Sequence, residues 1–175
     1  MNFFEAASTR YSHRSALKPT PVPHGDLLKI VTAGAQAPSG CNAQTTYFSV
    51  VTDSTLLAGL SEIIDSDAVR TAPAIIVVSS KYVPHDFGPA HPNMAFEVED
   101  YAAAVQNMLL AVTALGYATC WYDGAARIYG NDTRIAKLLG IADNLQVRTV
   151  LPIGIPVTIG KQGGRRPLEE RVNWL

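Results

Sequence analysis

The chain has 175 residues, 47% of them hydrophobic, with 14 basic and 15 acidic side chains. That length fits a single domain spanning 1–175 with a substantial core. The near-zero net charge excludes a protein that is basic throughout for nucleic acid or for a membrane surface.

Cys41 and Cys120 lie far apart and form no CxxC pair, so neither a disulfide framework nor a zinc ribbon is signalled. The opening MNFFEAASTR carries Glu5 early and lacks the apolar stretch of a signal peptide. The weakly polar run Met108–Tyr122 is too short for a membrane span and is broken by Thr113 and Thr119. The expectation is a soluble cytoplasmic protein.

In chain order, Asn2–Ser8 predicts a short helix, followed by the basic knot RYSHR. Lys18–Pro23 is too proline-rich for a helix or a central strand. Leu27, Leu28, Ile30, Val31 and Ala35 have helical spacing behind Asp26. Thr45–Val51 is β-branched and aromatic and predicts a strand. Asp53 and Ser54 cap a helix running through Ile64. Ala72–Ser80 is a short apolar run bounded by proline, as in a buried central strand. Lys81–Asn93 reads as a loop.

The longest helix is predicted over 95–115, stopping at Gly116. Val98, Tyr101, Ala102, Val105, Met108, Leu109, Val112 and Leu115 form one stripe. Ala103, Ala104, Leu110, Ala111 and Ala114 make the other face mild as well. A helix apolar nearly all round needs cover on all sides, and in a domain this small that predicts a partner chain over one face. Ala118–Tyr122 predicts a short strand, Thr133–Leu139 a helix ending at Gly140, and Gln146–Val157 a last strand. The order of elements gives an α+β fold with a mixed sheet flanked by helices.

Several motifs imitate chemistry. GIPVTIGKQ has the wrong glycine spacing for a phosphate loop, and Gln162 replaces the magnesium-binding hydroxyl. No GxGxxG opens a helix. His85, Asp86 and His91 sit in a proline-rich loop without helical i, i+4 geometry, so no metal site is expected. Ser39 has no nucleophile-elbow pattern, and Cys120 beside Trp121 reads as a buried small hydrophobe.

Two stretches read differently. In RYSHR, an extended backbone would put Arg10, Ser12 and Arg14 on one side, two guanidiniums and a hydroxyl suited to an anion such as phosphate; a solvated basic turn after a helix is the competing reading. A second pair, Arg165 and Arg166, follows Gly163 and Gly164 and meets the first only if the chain returns there. The uncharged APSGCNAQ (37–44) offers a serine hydroxyl and two amides to its own turn or to a ligand.

RYSHR, APSGCNAQ, DYAAAVQNMLLAVTALGYATCW and PIGIP…RRPLEERV occur in that order. Together they resemble the nitroreductase family, FMN-dependent homodimers with an extensive helical interface that reduce nitro compounds, quinones and related acceptors with NAD(P)H. The resemblance implies that Arg10, Ser12 and Arg14 bind FMN, with Arg165 and Arg166 as a second phosphate clamp. It implies that Pro38, Ser39, Gly40 and Asn42 reach the same flavin from the other subunit. Trp121, Asp123 and Gly124, within WYDG, fall beside the flavin's reactive edge, where backbone amides face N5. It implies ping-pong turnover, with no catalytic side chain because the flavin carries the chemistry. Alternatives within the fold are a specialised flavoenzyme (dehalogenation, flavin breakdown) or a non-enzymatic dimeric ligand-binding protein. The chain departs from the family after Gln44, where Thr45 and Thr46 replace the usual Pro-Trp, and in a shorter region before the long helix.

Overall fold

The computed structural model describes residues 1–175. Its sheet is built on β2 (Ala74–Lys81), flanked by β1 (Thr46–Val51) and β3 (Leu145–Ile153) in the order β1-β2-β3. Residues 74–80 of β2 are all buried, which explains their unbroken apolar and small character. Alternation along β2 feeds two cores. Ile75 and Val77 join Leu60, Val69, Ile135 and Val150 on one face. Ala74, Ile76 and Val78 join Ile30, Tyr101, Val105, Met108 and Leu151 on the other.

The helices that close the second core are α2 (His24–Ala35) and α5 (Glu97–Ala114), and α1 (Phe3–Thr9) packs on α5. Gly34 sits inside α2, where glycine costs about 1 kcal/mol of helix propensity relative to alanine. A Cβ there would lie 2.8 Å from Met108 Cγ, so the glycine lets α2 close on α5. That closure fixes where the chain leaves α2 and enters APSGCNAQ. The first core is covered by α3 (Ser54–Ile63), α4 (Asp67–Thr71), α6 (Asp123–Arg127) and α7 (Asn131–Leu139).

Apart from Ala118–Tyr122, the predicted helices and strands are present with shifted ends. The N-terminal helix is moved one residue by an Asn2–Glu5 capping box. Gly116 (φ 84°) and Gly140 (φ 65°) take the left-handed conformation expected just past helix ends. The last strand stops at Ile153 rather than Val157, because Gly154 pairs with Ala118 and Pro156 with Leu17. Ala118–Tyr122 forms no continuous strand. It makes isolated antiparallel bridges to Gly154 and Val150 and a parallel one between Thr119 and Ser12. The three strands are antiparallel throughout, so the mixed character lies in that edge bridge.

Helix α5 differs from its predicted stripe at its first turns. Val98 is exposed, whereas Asp100 and Ala104 are buried. On the milder face, α1 and α2 of the same chain supply part of the cover, leaving Leu110 and Ala111 half-buried and Ala114 exposed. No helix is long and apolar enough to cross a membrane.

Candidate functional site

The basic knot is held by its backbone. His13 N–H donates to Thr119 O (2.9 Å), and Ser12 bridges Thr119, fixing the segment alongside Ala118–Tyr122. His13 turns inward, buried, with its Nε2 3.2 Å from Ala16 O. Ser12 and Arg14 are therefore exposed on the opposite side, with Arg10 half-buried. All three converge near Cys120. Burial pushes that thiol's pKa up, against the opposing pull of Arg14, of a hydrogen bond with Ser12, and of Arg10.

These cations have no carboxylate partner within the chain. The ion pairs of the molecule join Lys29 to Asp26, Arg70 to Asp65 and Asp67, Arg127 to Asp123, and Arg148 to Glu97. Arg10, Arg14, Arg165 and Arg166 are absent from that set. The Nη1 of Arg14 donates only to Ser12 O at 3.4 Å. The C-terminal segment does return here, as the second basic pair requires. Gln162 donates to Ala7 O (3.1 Å) and Arg10 O (2.9 Å). Gly160 lies so close to Tyr11 that a Cβ would strike the ring. Arg165 and Arg166 follow, exposed, with Arg165 Nη1 reaching Gly163 O (3.1 Å) and Gly164 O (3.4 Å).

In APSGCNAQ, Ser39–Ala43 winds into a tight 3-10 turn. Asn42 N–H donates to Ser39 O and Ala43 N–H to Gly40 O, both at 3.0 Å. The Ser39 hydroxyl accepts from Gln44 N–H (3.0 Å). Cys41, Asn42 and Gln44 all have positive φ, near 50°, uncommon for residues with a side chain. The turn keeps that shape because α5 pins it. Gly40 N–H donates to Asp100 Oδ1 (2.8 Å), and the Thr45 hydroxyl donates to Asp100 Oδ2 (2.6 Å). Pro38 and Ser39 border a cleft of about 150 Å³ with Gly34, Thr46 and Ala104, while the Asn42 side chain is exposed and makes no internal hydrogen bond.

WYDG is more ordered than a loop. Tyr122 N–H donates to Val150 O (3.1 Å), which removes it from the amides available to a ligand. Asp123 and Gly124 instead open α6, and their N–H groups have no protein acceptor. The Asp123 carboxylate is fully engaged, accepting from the Tyr101 hydroxyl (2.7 Å) and from Arg127 Nε (2.7 Å). Burial, then the bond to Asp123, raises the Tyr101 pKa. Trp121 stands edge-on to Tyr101, with centroids 6.2 Å apart.

No hydrogen bond or ion pair within this chain joins Arg10, Ser12 or Arg14 to Ser39–Asn42. Sequence reasoning missed Asp100, Thr45 as its partner, Tyr101 and Gln162. Asp100 was visible only as an acidic residue in a helix's opening turns. Its partners lie 55 and 60 residues away, and Gln162 bonds across 152.

A family model described as the nitroreductase family matches residues 7–68 and 62–155. A curated protein of Archaeoglobus fulgidus, provisionally named an NADH dehydrogenase/NAD(P)H nitroreductase, is 34% identical over 140 residues, 75% of this chain and 72% of its own length. A similarly named protein of Methanothermobacter thermautotrophicus is 30% identical, covering 89% and 78%. Among solved structures, a provisionally named nitroreductase from Desulfovibrio desulfuricans, in complex with FMN, matches with a TM-score of 0.81 at 27% identity, covering 98% of this chain and 95% of that one. The chain belongs to the nitroreductase family.

Proposed function

We propose that the chain is a cytoplasmic, homodimeric, FMN-dependent oxidoreductase that takes hydride from NAD(P)H and reduces nitroaromatic, quinone or similar acceptors by ping-pong turnover. The observation that carries the reading is the unpaired charge of Arg10 and Arg14 beside the Ser12 hydroxyl, at the point to which Gln162 returns the basic tail. Guanidiniums on a fixed backbone, with no carboxylate to satisfy them, are a ready acceptor for a phosphate.

The donor set fits FMN. It offers one phosphate-sized cationic cluster and no glycine-rich strand-to-helix turn for a second phosphate. Two buried polar atoms flanking Cys120, Thr119 Oγ1 and Trp121 Nε1, have no protein partner. The Desulfovibrio relative carries the same cofactor. In this reading Arg10, Ser12, Arg14, Arg165 and Arg166 hold the phosphate and polar edge. Pro38, Ser39, Gly40 and Asn42 come from the second copy, and Trp121, Asp123 and Gly124 border the ring. FMN, when bound, supplies reversible two-electron redox chemistry.

The chain's own residues orient and exclude. Arg14 supplies a cation from a tied backbone segment, which lowers the cost of negative charge on a bound ligand. Asp123 and Asp100 each accept hydrogen bonds from internal donors, which fixes their orientation. The Tyr101 hydroxyl, its pKa raised, stays protonated at neutral pH.

The test is the absorption spectrum of the purified protein. A flavin spectrum, with FMN rather than FAD released on denaturation, is expected. Colourless protein that takes up no added FMN refutes the proposal.

A further inference from the structure

The reading above leaves unexplained why a carboxylate is buried in the opening turns of α5. Asp100 is 4% exposed and has no lysine, arginine or histidine within ion-pair distance. A buried charge without a cation is retained only where hydrogen bonds satisfy it. Its two oxygens take one donor each, Gly40 N–H at 2.8 Å and the Thr45 hydroxyl at 2.6 Å. Those donors stand on either side of the turn that holds the three positive-φ residues.

Both anchor points are themselves fixed. Gly40 lies against Phe96, the residue that caps α5, so that even a methyl group would collide with the ring. Thr45 is 2% exposed, and its carbonyl accepts from Lys81 N–H (2.8 Å) at the end of β2.

We propose that Asp100 is a positioning residue for the flavin site: its carboxylate clamps Gly40 and Thr45, and so holds Ser39–Asn42 in the shape that meets the flavin of a second copy. The inference rests on the proposed function. Asp100 touches neither cofactor nor substrate in it. Its effect reaches the ligand through the turn, by keeping Cys41, Asn42 and Gln44 in conformations they would otherwise leave. Removing the Thr45 hydroxyl leaves Asp100 Oδ2 buried without a donor, and the turn loses one of its two ties.

The experiment compares Thr45→Val, Thr45→Ser and wild type as full-length protein, measuring FMN dissociation and amide hydrogen exchange. Thr45→Val should weaken FMN retention about tenfold or more, the scale of one lost hydrogen bond to a charged group. In the FMN-free protein it should speed exchange over 38–44 while leaving β2 protected. Thr45→Ser, which keeps the hydroxyl, should stay within about twofold of wild type in both. Unchanged FMN retention and unchanged exchange in Thr45→Val overturn the proposal. So does an equal loss of protection in the turn and in β2, because Asp100 would then merely hold the fold. Wild-type protein that takes up no FMN overturns the functional reading and this role with it. That outcome is distinct from failure of the clamp alone, in which wild type and variant stay equally yellow.

Discussion

The turn at Ser39–Gln44 and the extended segment Arg10–Arg14 solve opposite problems. In the turn, the Ser39 hydroxyl and the amides of Gly40, Asn42, Ala43 and Gln44 are all satisfied inside the chain. The arginine segment is tied through its backbone, by Thr119 and Gln162, while its guanidiniums are left without carboxylates. A satisfied turn offers a fixed shape and little charge. An unsatisfied pair of cations offers charge that a ligand can complete. Stability and ligand affinity should therefore separate at the second segment and travel together at the first.

The largest effect is expected where the turn is most crowded. Gly40→Ala drives a Cβ into the Phe96 ring. Overpacking of this kind costs roughly 1–3 kcal/mol. For a chain of this size, that lowers Tm by roughly 2–12 °C. Flavin retention should fall with it. Shortening Phe96 to alanine in the same protein should recover part of both losses, since the two side chains compete for one space. Thermal melts of the single and double variants check this, and losses that simply add would show that the crowding is not the cause.

Arg14→Ala should do the reverse. The side chain is exposed and makes only one long internal contact, so the melting of the FMN-free protein should shift by no more than about 0.5 kcal/mol. FMN affinity should drop about tenfold or more, and wild-type affinity should weaken with added salt. A variant that melts early but binds FMN normally would break the contrast between the two segments.

Whether one flavin uses both segments is a question about two copies. Arg14→Ala and Asn42→Ala homodimers each carry a lesion at both sites. In a mixed dimer, one site takes both lesions and the other neither. Random pairing of an equal mixture should thus leave about a quarter of all sites intact. Activity at limiting FMN should rise above that of either variant alone. A mixture that gives only the average, with mixed dimers present, would mean that no flavin takes one segment from each copy.

Much of this arrangement is readable before folding because it is local. The unbroken apolar run of β2, the glycines that end α5 and α7, and the alternation in RYSHR depend on neighbours within a few residues. Asp100 is not local. An acid early in a helix ordinarily faces solvent and favours the dipole, and only the return of Gly40 and Thr45 to that spot makes it a buried acceptor. Val98 looks like core for the complementary reason: the stripe drawn from periodicity takes no account of what faces the first turn. The five-residue helices α4 and α6 are too short to show a period at all.

The smallest effect calibrates the others, because it involves a carboxylate outside both segments. Asp26 on α2 accepts from Lys29 Nζ (2.8 Å) and from the Tyr117 hydroxyl (2.9 Å) just beyond α5. The hydrogen bond from Lys29, then that from Tyr117, holds the Asp26 pKa below its ordinary value of 3.8. A carboxyl depressed on folding contributes stability that is fully present above its unfolded pKa and is lost as pH falls through the folded one. The Tm difference between wild type and Asp26→Asn should therefore be flat between about pH 6 and 8 and shrink below about pH 4. It should be small, since Lys29 is largely exposed. FMN affinity should not change in Asp26→Asn, because this pair ties helix ends and faces no ligand. If flavin is lost along with the pair, contacts that merely hold the fold also set affinity, and the division between shape and charge drawn from the two segments is wrong.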